Sequence, residues 1–499
     1  MAEPPRSVAI LGGGTAGWMA ANLLVDRWAD SGTTITLIES SDIGVVGVGE
    51  GSTPQLKAFF DRLGITESEW MPRCNATFKA GIEFVGWSDR PGYERYFHPF
   101  PTAVDGFTQP GFFHSTRARR TGRDVPAHPD FFYVPTRIAR EGRAPVAPAN
   151  FPFDVSYGYH FDAVLLGAFL RDFATGRGAL HIEARIADVE LGENGDVSAL
   201  VADDGRRFAA DLFIDASGFR SAIIGGALGE PYRSFADNLF NDRAVVAPTP
   251  RPPGDLVAAT RSTALSAGWA WQIPLTNRIG NGYVYSSRHI DADAAEAELR
   301  GFLGLDEDAE LRHLEMRCGR VERSWVRNCL AVGLSQGFVE PLEATALHVV
   351  LATLDGFLDA WDRDDRDGFN TIIARRYEGI RDYLVCHYRT APGGRTEYWR
   401  DAARLDCLSD SLKDIITAWF TGADLERHLI EQGVAAYYPP LSWHCMLAGY
   451  GNFPDPSRLV APGPDVDVPD MAEVERFIAG CAINFPAHCE ALARLKEDQ

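Results

Sequence analysis

Between residues 8 and 39 the chain carries a pattern that few folds accommodate. A short apolar run, 8–11, leads straight into Gly12-Gly13-Gly14-Thr15-Ala16-Gly17, and an apolar stretch with helical spacing follows over 18–25. A second apolar run, 35–38, closes on the acidic Glu39, 22 positions after Gly17. Strand, glycine turn, helix and strand in this order predict a βαβ unit with parallel strands. The first glycine permits the tight turn, the second lets backbone approach a pyrophosphate, and the third lets helix and strand pack closely. The helix N-terminus faces the phosphates with its free N–H groups, and Glu39 can accept ribose hydroxyls. A glycine turn without a ligand is the plainer alternative; the flanking strand, helix and acid favour a dinucleotide site.

The rest of the sequence continues this α/β pattern and then turns helical. A second glycine-rich stretch, 44–51, leads into a helix predicted over 56–63. Residues 91–152 are rich in proline, arginine and aromatics and read as an irregular, ordered excursion. A helix is expected over 159–173, where apolar residues recur at 3–4 spacing. Residues 181–215 read as strands, with turns at Glu193-Asn194-Gly195 and Asp203-Asp204-Gly205, and the last strand opens on Asp215-Ala216-Ser217-Gly218. More strands are expected over 269–285 and helices over 344–361 and 371–388. Shorter helices follow Ser409, then a proline- and aspartate-rich loop over 454–470 and a final helix. The expected division is a nucleotide-binding module over 1–390, with 91–152 inserted, and a helical part over 391–499 packed on the substrate site. No internal repeat or low-complexity tract interrupts it.

Composition narrows the partners. A net charge of −21 has the wrong sign for a protein that lives on nucleic acid or anionic membrane. No apolar run reaches the roughly 18–20 residues of a membrane span, and the start of the chain shows no secretory or transit signal. Eight cysteines are scattered without a CxxC pair, which argues against a zinc ribbon, a dithiol motif or a disulfide framework. No metal is expected, and a cytoplasmic location is. Lysine is scarce: Lys57, Lys79, Lys413 and Lys496 stand against 44 arginines. Arginine-rich codon usage explains the bias as a whole and leaves each lysine to be weighed singly.

An NAD dehydrogenase would continue with regular βαβαβ repeats. Here a long insertion separates the first βαβ unit from the strand returning at Asp215, an organisation typical of FAD-binding proteins of the two-part flavin monooxygenase type. The expected fold is therefore an FAD-binding Rossmann-like α/β module with a mostly helical C-terminal part covering the substrate.

Three further segments bring chemistry: Gly268-Trp269-Ala270-Trp271-Gln272-Ile273-Pro274, Phe78-Lys79-Ala80-Gly81 and Phe338-Val339-Glu340-Pro341-Leu342-Glu343-Ala344-Thr345. With the glycine fingerprint, they resemble the flavin-dependent halogenases of the tryptophan-halogenase family. Gly47-Val48-Gly49-Glu50, Tyr157-Gly158-Tyr159-His160-Phe161-Asp162, Asp215-Ala216-Ser217-Gly218-Phe219-Arg220 and His387-Tyr388 look like the same family, so the likeness spans about residues 7–400. The resemblance implies bound FAD, used reduced, with Gly12, Gly14, Thr15, Ala16, Gly17, Glu39, Gly49, Glu50, Asp215 and Gly333 in the cofactor site.

Trp269 and Trp271, two apart on a strand, point to one face that Ile273 continues. Core packing would explain such a pair; the resemblance implies instead that these residues and Pro274 wall the organic substrate off from the flavin. Chloride or bromide would then be oxidised to hypohalous acid. Lys79 lies in a mostly apolar stretch, and a lysine can hydrogen-bond hypohalous acid or, when neutral, form a haloamine, which arginine cannot. The family assigns this role to the lysine at the matching position, with either species open. Glu343 precedes a helix and could simply complement its dipole. By resemblance it is the carboxylate that polarises the halogenating species and removes the arene proton, while the amides of Thr345 and Ala346 hold halide. His98 and Phe100 resemble the pair that sandwiches the aromatic substrate.

Two departures bear on substrate and site. Family members commonly have serine, threonine and glycine after the glutamate; here Ala344-Thr345-Ala346 lacks the first hydroxyl. Halogenases that take free tryptophan carry a tyrosine pair, a nearby glutamate and a Phe-Trp pair; here Tyr437-Tyr438 runs straight into Pro439-Pro440-Leu441-Ser442-Trp443. A neutral indole or another electron-rich arene is therefore the expected substrate. A separate flavin reductase is expected to supply reduced FAD, because no second nucleotide fingerprint occurs. Two alternatives compete: an FAD-dependent aromatic hydroxylase and a non-catalytic flavin-binding protein. Hydroxylases usually carry a Gly-Asp pair where this chain reads Ala331-Val332-Gly333-Leu334-Ser335-Gln336-Gly337.

Overall fold

Four apolar runs, each about as long as a short strand and buried along its length, assemble the nucleotide end of the molecule. The computed structural model describes residues 3–41, 49–254, 256–391, 396–455 and 468–497. Its contacts divide the chain into two compact units, each built from three stretches of sequence. The first unit comprises Met1–Asn75, Phe161–Phe235 and Arg317–Glu378; the second comprises Ala76–His160, Ala236–Met316 and Gly379–Gln499.

In the first unit a six-stranded sheet runs in the order Trp325–Val326, Cys329–Ala331, Leu212–Asp215, Ser7–Leu11, Thr34–Glu39, Leu180–Glu183. All neighbours are parallel except the outer hairpin of the first two strands. Parallel strands buried on both faces need apolar side chains on both, and Val8, Ile10, Leu37, Ile38, Phe213 and Ile214 are at most 1% exposed. The expected βαβ unit forms, with the helix Thr15–Trp28 as its crossover. Inside that helix Asn22 donates to the carbonyls of Trp18 (2.8 Å) and Leu170 (2.9 Å), tying it to the helix Ala163–Gly176.

The second unit is built on a seven-stranded sheet, in the order Arg312–Glu315, Arg243–Pro250, Arg278–Tyr285, Gly268–Pro274, Ala259–Leu265, Gly81–Val85, Arg95–Pro99. Its one parallel pairing joins Ala259–Leu265 to Gly81–Val85, and so brings two distant stretches of chain together. Helices supplied by 379–497 complete the unit. Among the described residues no helix is long and apolar enough to cross a membrane, and no cluster of side chains could hold a metal.

Three expectations change. Residues 91–152 are not irregular: they hold the strand Arg95–Pro99 and the helices Gln109–Arg120 and Val134–Arg140. The helix expected over 159–173 starts later, at Ala163, because Asp162 caps it by accepting from the amides of Val164 (3.0 Å) and Leu165 (3.2 Å). Ahead of it, Gly158–Asp162 is a strand. The chain ends in two helices, Met471–Ala482 and His488–Glu497. Much of the 44–51 and 454–470 stretches, including Gly47 and Val48, lies outside the described residues.

A buried cation closes one helix of the second unit. Arg120 donates to the carbonyls of Trp419 (2.8 Å), Ala418 (2.7 Å) and Ala423 (2.6 Å), around the end of the helix Asp410–Thr421, and its guanidinium lies 4.7 Å from the Trp419 ring centre. Burial drags its pKa down to about 10, so it stays charged at neutral pH. Replacing Arg120 with methionine leaves those carbonyls buried without their donor. The Arg120→Met variant should lose roughly 3 kcal/mol of unfolding free energy in urea titrations followed by circular dichroism.

Candidate active site

In the first unit the glycine turn is dictated by space. Gly12 has φ +114°, and a Cβ there would lie 2.3 Å from the carbonyl oxygen of Ala216. A Cβ on Gly17 would lie 2.0 Å from the Gly12 oxygen, whereas one on Gly14 would meet nothing within 4 Å. Gly14 is the N-cap of the helix Thr15–Trp28 and makes no side-chain capping bond. The result is a backbone surface with an open face at Gly14 and a helix N-terminus beginning at Thr15 and Ala16.

Glu39, Asp215 and Gly333 lie against this turn or its strand, and Gly49 and Glu50 belong to the same unit. The Glu39 carboxylate lies where a Gly13 side chain would be, and His181 Nε2 pairs with it at 2.8 Å. Burial raises the Glu39 pKa against the opposing pull of His181. Gly49 and Glu50 form part of the strand Gly49–Gly51, where burial, helped by the charge of Asp162, pushes the Glu50 pKa up to about 7. Asp215 is fully buried and accepts four bonds: from Ser217 N (3.0 Å) and Oγ (2.6 Å), and from the amides of Ile223 and Ile224 (2.8 Å each). It therefore organises the loop after its strand. Gly333 has φ +64°, and a Cβ there would lie 2.8 Å from that of Ala16.

Glu343 ends the 3₁₀ turn Pro341–Glu343 and is 6% exposed. Ala344 then adopts a left-handed conformation, φ +54°, which reverses the chain into the helix Ala346–Arg363. Thr345 is that helix's N-cap and offers no side-chain capping bond, so it leaves the first-turn amides unclaimed by its hydroxyl.

The remaining predicted residues belong to the second unit. Lys79 closes the strand Thr77–Lys79, which pairs antiparallel with Gly158–Asp162 through Thr77↔His160, Phe78↔Tyr159 and Lys79↔Gly158. Its side chain has no exposed surface, and Nζ lies 5.3 Å from the Phe100 ring centre. The backbone either side of it is fixed. Phe78 N donates to His488 Nε2 (3.1 Å), Ala80 N to Ala258 O (2.7 Å), and Phe100 N to Ala80 O (2.8 Å). His488 in turn faces the Leu256 carbonyl through Nδ1 at 3.0 Å, which sets Nδ1 as its protonated nitrogen. His160, fully buried between the hydroxyls of Thr77 (3.1 Å) and Thr260 (2.9 Å), is held neutral by burial and by the nearby charge of Lys79.

Trp269 and Trp271 share one face of the strand Gly268–Pro274, with ring centres 6.1 Å apart, as the alternation predicts. The Trp271 ring lies directly over Gly282 on the paired strand, where a Cβ would fall 2.2 Å from it. Ile273 continues the buried face. At the strand's end Pro274 accepts a 2.6 Å bond from the Thr77 hydroxyl, which ties the tryptophan strand to the strand of Lys79. His98, 4% exposed, stands among Phe84, Tyr96 and Tyr383 with ring centres 6.2–6.5 Å away. Thus Lys79, Phe100, Pro274 and the tryptophan strand are brought together within one unit, while the residues expected to hold the cofactor, Glu343, Thr345 and Ala346 are grouped in the other. His160, His488 and Tyr383, which touch Thr77, Phe78 and His98, were not singled out from the sequence. His160 lies inside a motif quoted above, but nothing local marks His488, which meets Phe78 across 410 residues.

The sequence profile of the tryptophan halogenase family matches residues 7–463. The chain belongs to the tryptophan halogenase family. It is 36% identical to the 7-chloro-L-tryptophan 6-halogenase KtzR of Kutzneria sp. (strain 744), over 98% of this chain and 99% of that protein. The crystal structure of the tryptophan 6-halogenase SttH from Streptomyces toxytricini superposes with a TM-score of 0.85 at 32% identity, covering 98% of this chain and 99% of that one. Xcc4156, a flavin-dependent halogenase from Xanthomonas campestris, gives 0.84 at 35% identity over 98% of each chain. This tryptophan-halogenase relative is accordingly a flavin-dependent halogenase, an oxidoreductase, and not the alternative aromatic hydroxylase.

His160 gives the family member a pH signature. Its imidazole is neutral when folded, while an unfolded histidine takes a proton near pH 6.5. The contribution is fully present above that pH and is lost as the pH falls below it, because the unfolded state then binds the extra proton. Urea titrations at pH 7.5 and 5.5 should show a loss on acidification that His160→Gln reduces by up to about 1.4 kcal/mol.

Proposed function

We propose that the chain uses FAD in its reduced form, oxygen and chloride or bromide to halogenate an electron-rich arene, with a neutral indole favoured over free tryptophan. The glycine cradle supports FAD: Gly12, Gly14 and Gly17 expose backbone that side chains would obstruct or leave open, and Glu39 stands beside the turn. Thr15, Ala16, Gly49, Glu50, Asp215 and Gly333 would complete the holding set. Reduced FAD bound there would give two electrons to O2, so that one oxygen atom leaves as water while the other takes two electrons from the halide and becomes the oxygen of hypohalous acid.

The protein's own residues do the rest. The amides of Thr345 and Ala346, at a helix start, hold the halide. Trp269, Trp271, Ile273 and Pro274 keep the arene away from the cofactor. Lys79 holds the halogen, either by donating a hydrogen bond to hypohalous acid or as a haloamine. Glu343 takes the proton that the ring carbon loses when the carbon–halogen bond forms. His98 and Phe100 sandwich the ring. The observation that carries this reading is the Thr77–Pro274 bond, which couples the buried lysine to the tryptophan wall. A separate flavin reductase supplies the reduced flavin, since the chain has one nucleotide fingerprint. Eight free thiols fit a reducing, cytoplasmic setting.

The substrate preference rests on the tyrosine pair. Tyr438 stacks on Tyr383 with ring centres 3.6 Å apart, Trp443 meets Tyr383 edge-on at 4.9 Å, and the Tyr437 ring lies over Gly379. The helix Pro440–Gly449 starts at once, with no glutamate in between to pair with an ammonium group.

The test supplies a flavin reductase, FAD, oxygen and bromide with a panel of indoles, phenols and tryptophan, and reads bromine isotope doublets by mass spectrometry. Lys79→Ala and Glu343→Gln should each cut product formation by about 100-fold or more while flavin affinity stays unchanged. Uptake of oxygen in place of bromine would overturn the reading. On substrate choice, kcat/KM for indole should exceed that for tryptophan by about tenfold or more. The reverse order would establish free tryptophan.

A further inference from the structure

The sheet of the second unit has two faces, and Lys79's neighbours use only one of them. On the strand Gly81–Val85, Ile82 and Phe84 point toward the aromatic side, where Phe84 stacks on Tyr96 (4.9 Å) and His387 (5.0 Å). Glu83 points the opposite way by strand alternation, and so do its partners across the sheet, Arg261 and Phe97. On that reverse face lies a cavity of about 220 Å³, with Arg95, Arg140 and Arg261 around it and Phe97, Ala139, Val257 and Ala259 as its apolar lining.

Three guanidiniums face two buried carboxylates here. Glu83 takes Arg261 Nε at 2.9 Å and lies 3.7 Å from Arg95 Nη1. Asp130 pairs with Arg140 and accepts the Phe97 amide at 2.7 Å. His128, near Asp130, adds no charge because burial lowers its pKa. Among the described residues one positive charge is therefore left over here, in a chain whose total is −21. Each guanidinium has five N–H donors, and these pairs occupy a minority of them. Val257, 44% exposed, puts an apolar side chain at the mouth.

We propose that this cavity binds a small organic monocarboxylate whose apolar body is a single ring or short chain. A halide would leave the apolar lining uncovered, and a phosphate dianion would bring more charge than the one left over. The volume lies below the roughly 300 Å³ at which pockets for drug-sized ligands begin, which limits the occupant to a fragment.

Titration calorimetry of the full chain with benzoate, and with neutral benzamide of the same shape, tests the proposal. Benzoate should bind saturably, and benzamide about tenfold or more weaker for want of the charge-assisted bonds. Val257→Asp, an exposed change that sets a negative charge at the mouth, should weaken benzoate about tenfold or more, as should Arg261→Gln. Absent binding, equal affinity for benzamide, or a benzoate affinity that neither substitution alters would overturn the site, the last by locating the ligand elsewhere.

Discussion

An amine taken fully out of water costs several kcal/mol in its charged form unless its surroundings answer the charge, and Lys79 is such a side chain. Much of the second unit's local design can be traced to it. The face of Phe100 lies within reach of Nζ. The nearest imidazole, His160, is kept neutral between two threonine hydroxyls, so no second cation is placed in the same dry region. The main chain cannot relax to let the amine escape, because Phe78 and Ala80 on either side both have their amides bonded and the Ala80 carbonyl is also taken. A rigid strand with one long, flexible side chain suits the halogen-holding role proposed for Lys79.

The first unit meets a different constraint, that of close approach. Backbone, not side chain, has to form the surface near Gly12, and the collisions a Cβ would suffer at Gly12, Gly13 and Gly17 explain the residue choice there. Asp215 provides the complementary order: one buried carboxylate gathers four donors and shapes the loop after its strand. Ala344 takes on a conformation that glycine would adopt more cheaply, immediately before the helix whose first amides are proposed to hold halide.

What could be read from the sequence was whatever is local. The strand, turn and helix over the first 40 residues follow from adjacent periodicities, and so does the shared face of Trp269 and Trp271. The two helices within 91–152 escaped because they are short and bury polar residues: Ser115, Thr116 and Thr136 face inward, which erases the apolar period, and prolines near both starts read as breaks. His488 could not be found at all, since its meaning lies in one bond to Phe78 that no spacing predicts. Likewise the pairing of Gly81–Val85 with Ala259–Leu265 depends on the tertiary fold, and with it the union of the lysine and tryptophan strands.

The order in which the strands occur has a consequence for how the molecule comes into being. The first unit's sheet begins with the pair Ser7–Leu11 and Thr34–Glu39, but Ser7–Leu11 lacks its second neighbour until Leu212–Asp215 has been made, and that strand in turn waits for Cys329–Ala331. The second unit waits longer, because His488 reaches back to Phe78 from the last helix. On a ribosome neither half can finish early: the first unit needs chain up to Glu378 and the second needs His488. Early apolar strands must be kept from other partners while the later ones are made, so both completions fall in the last part of translation.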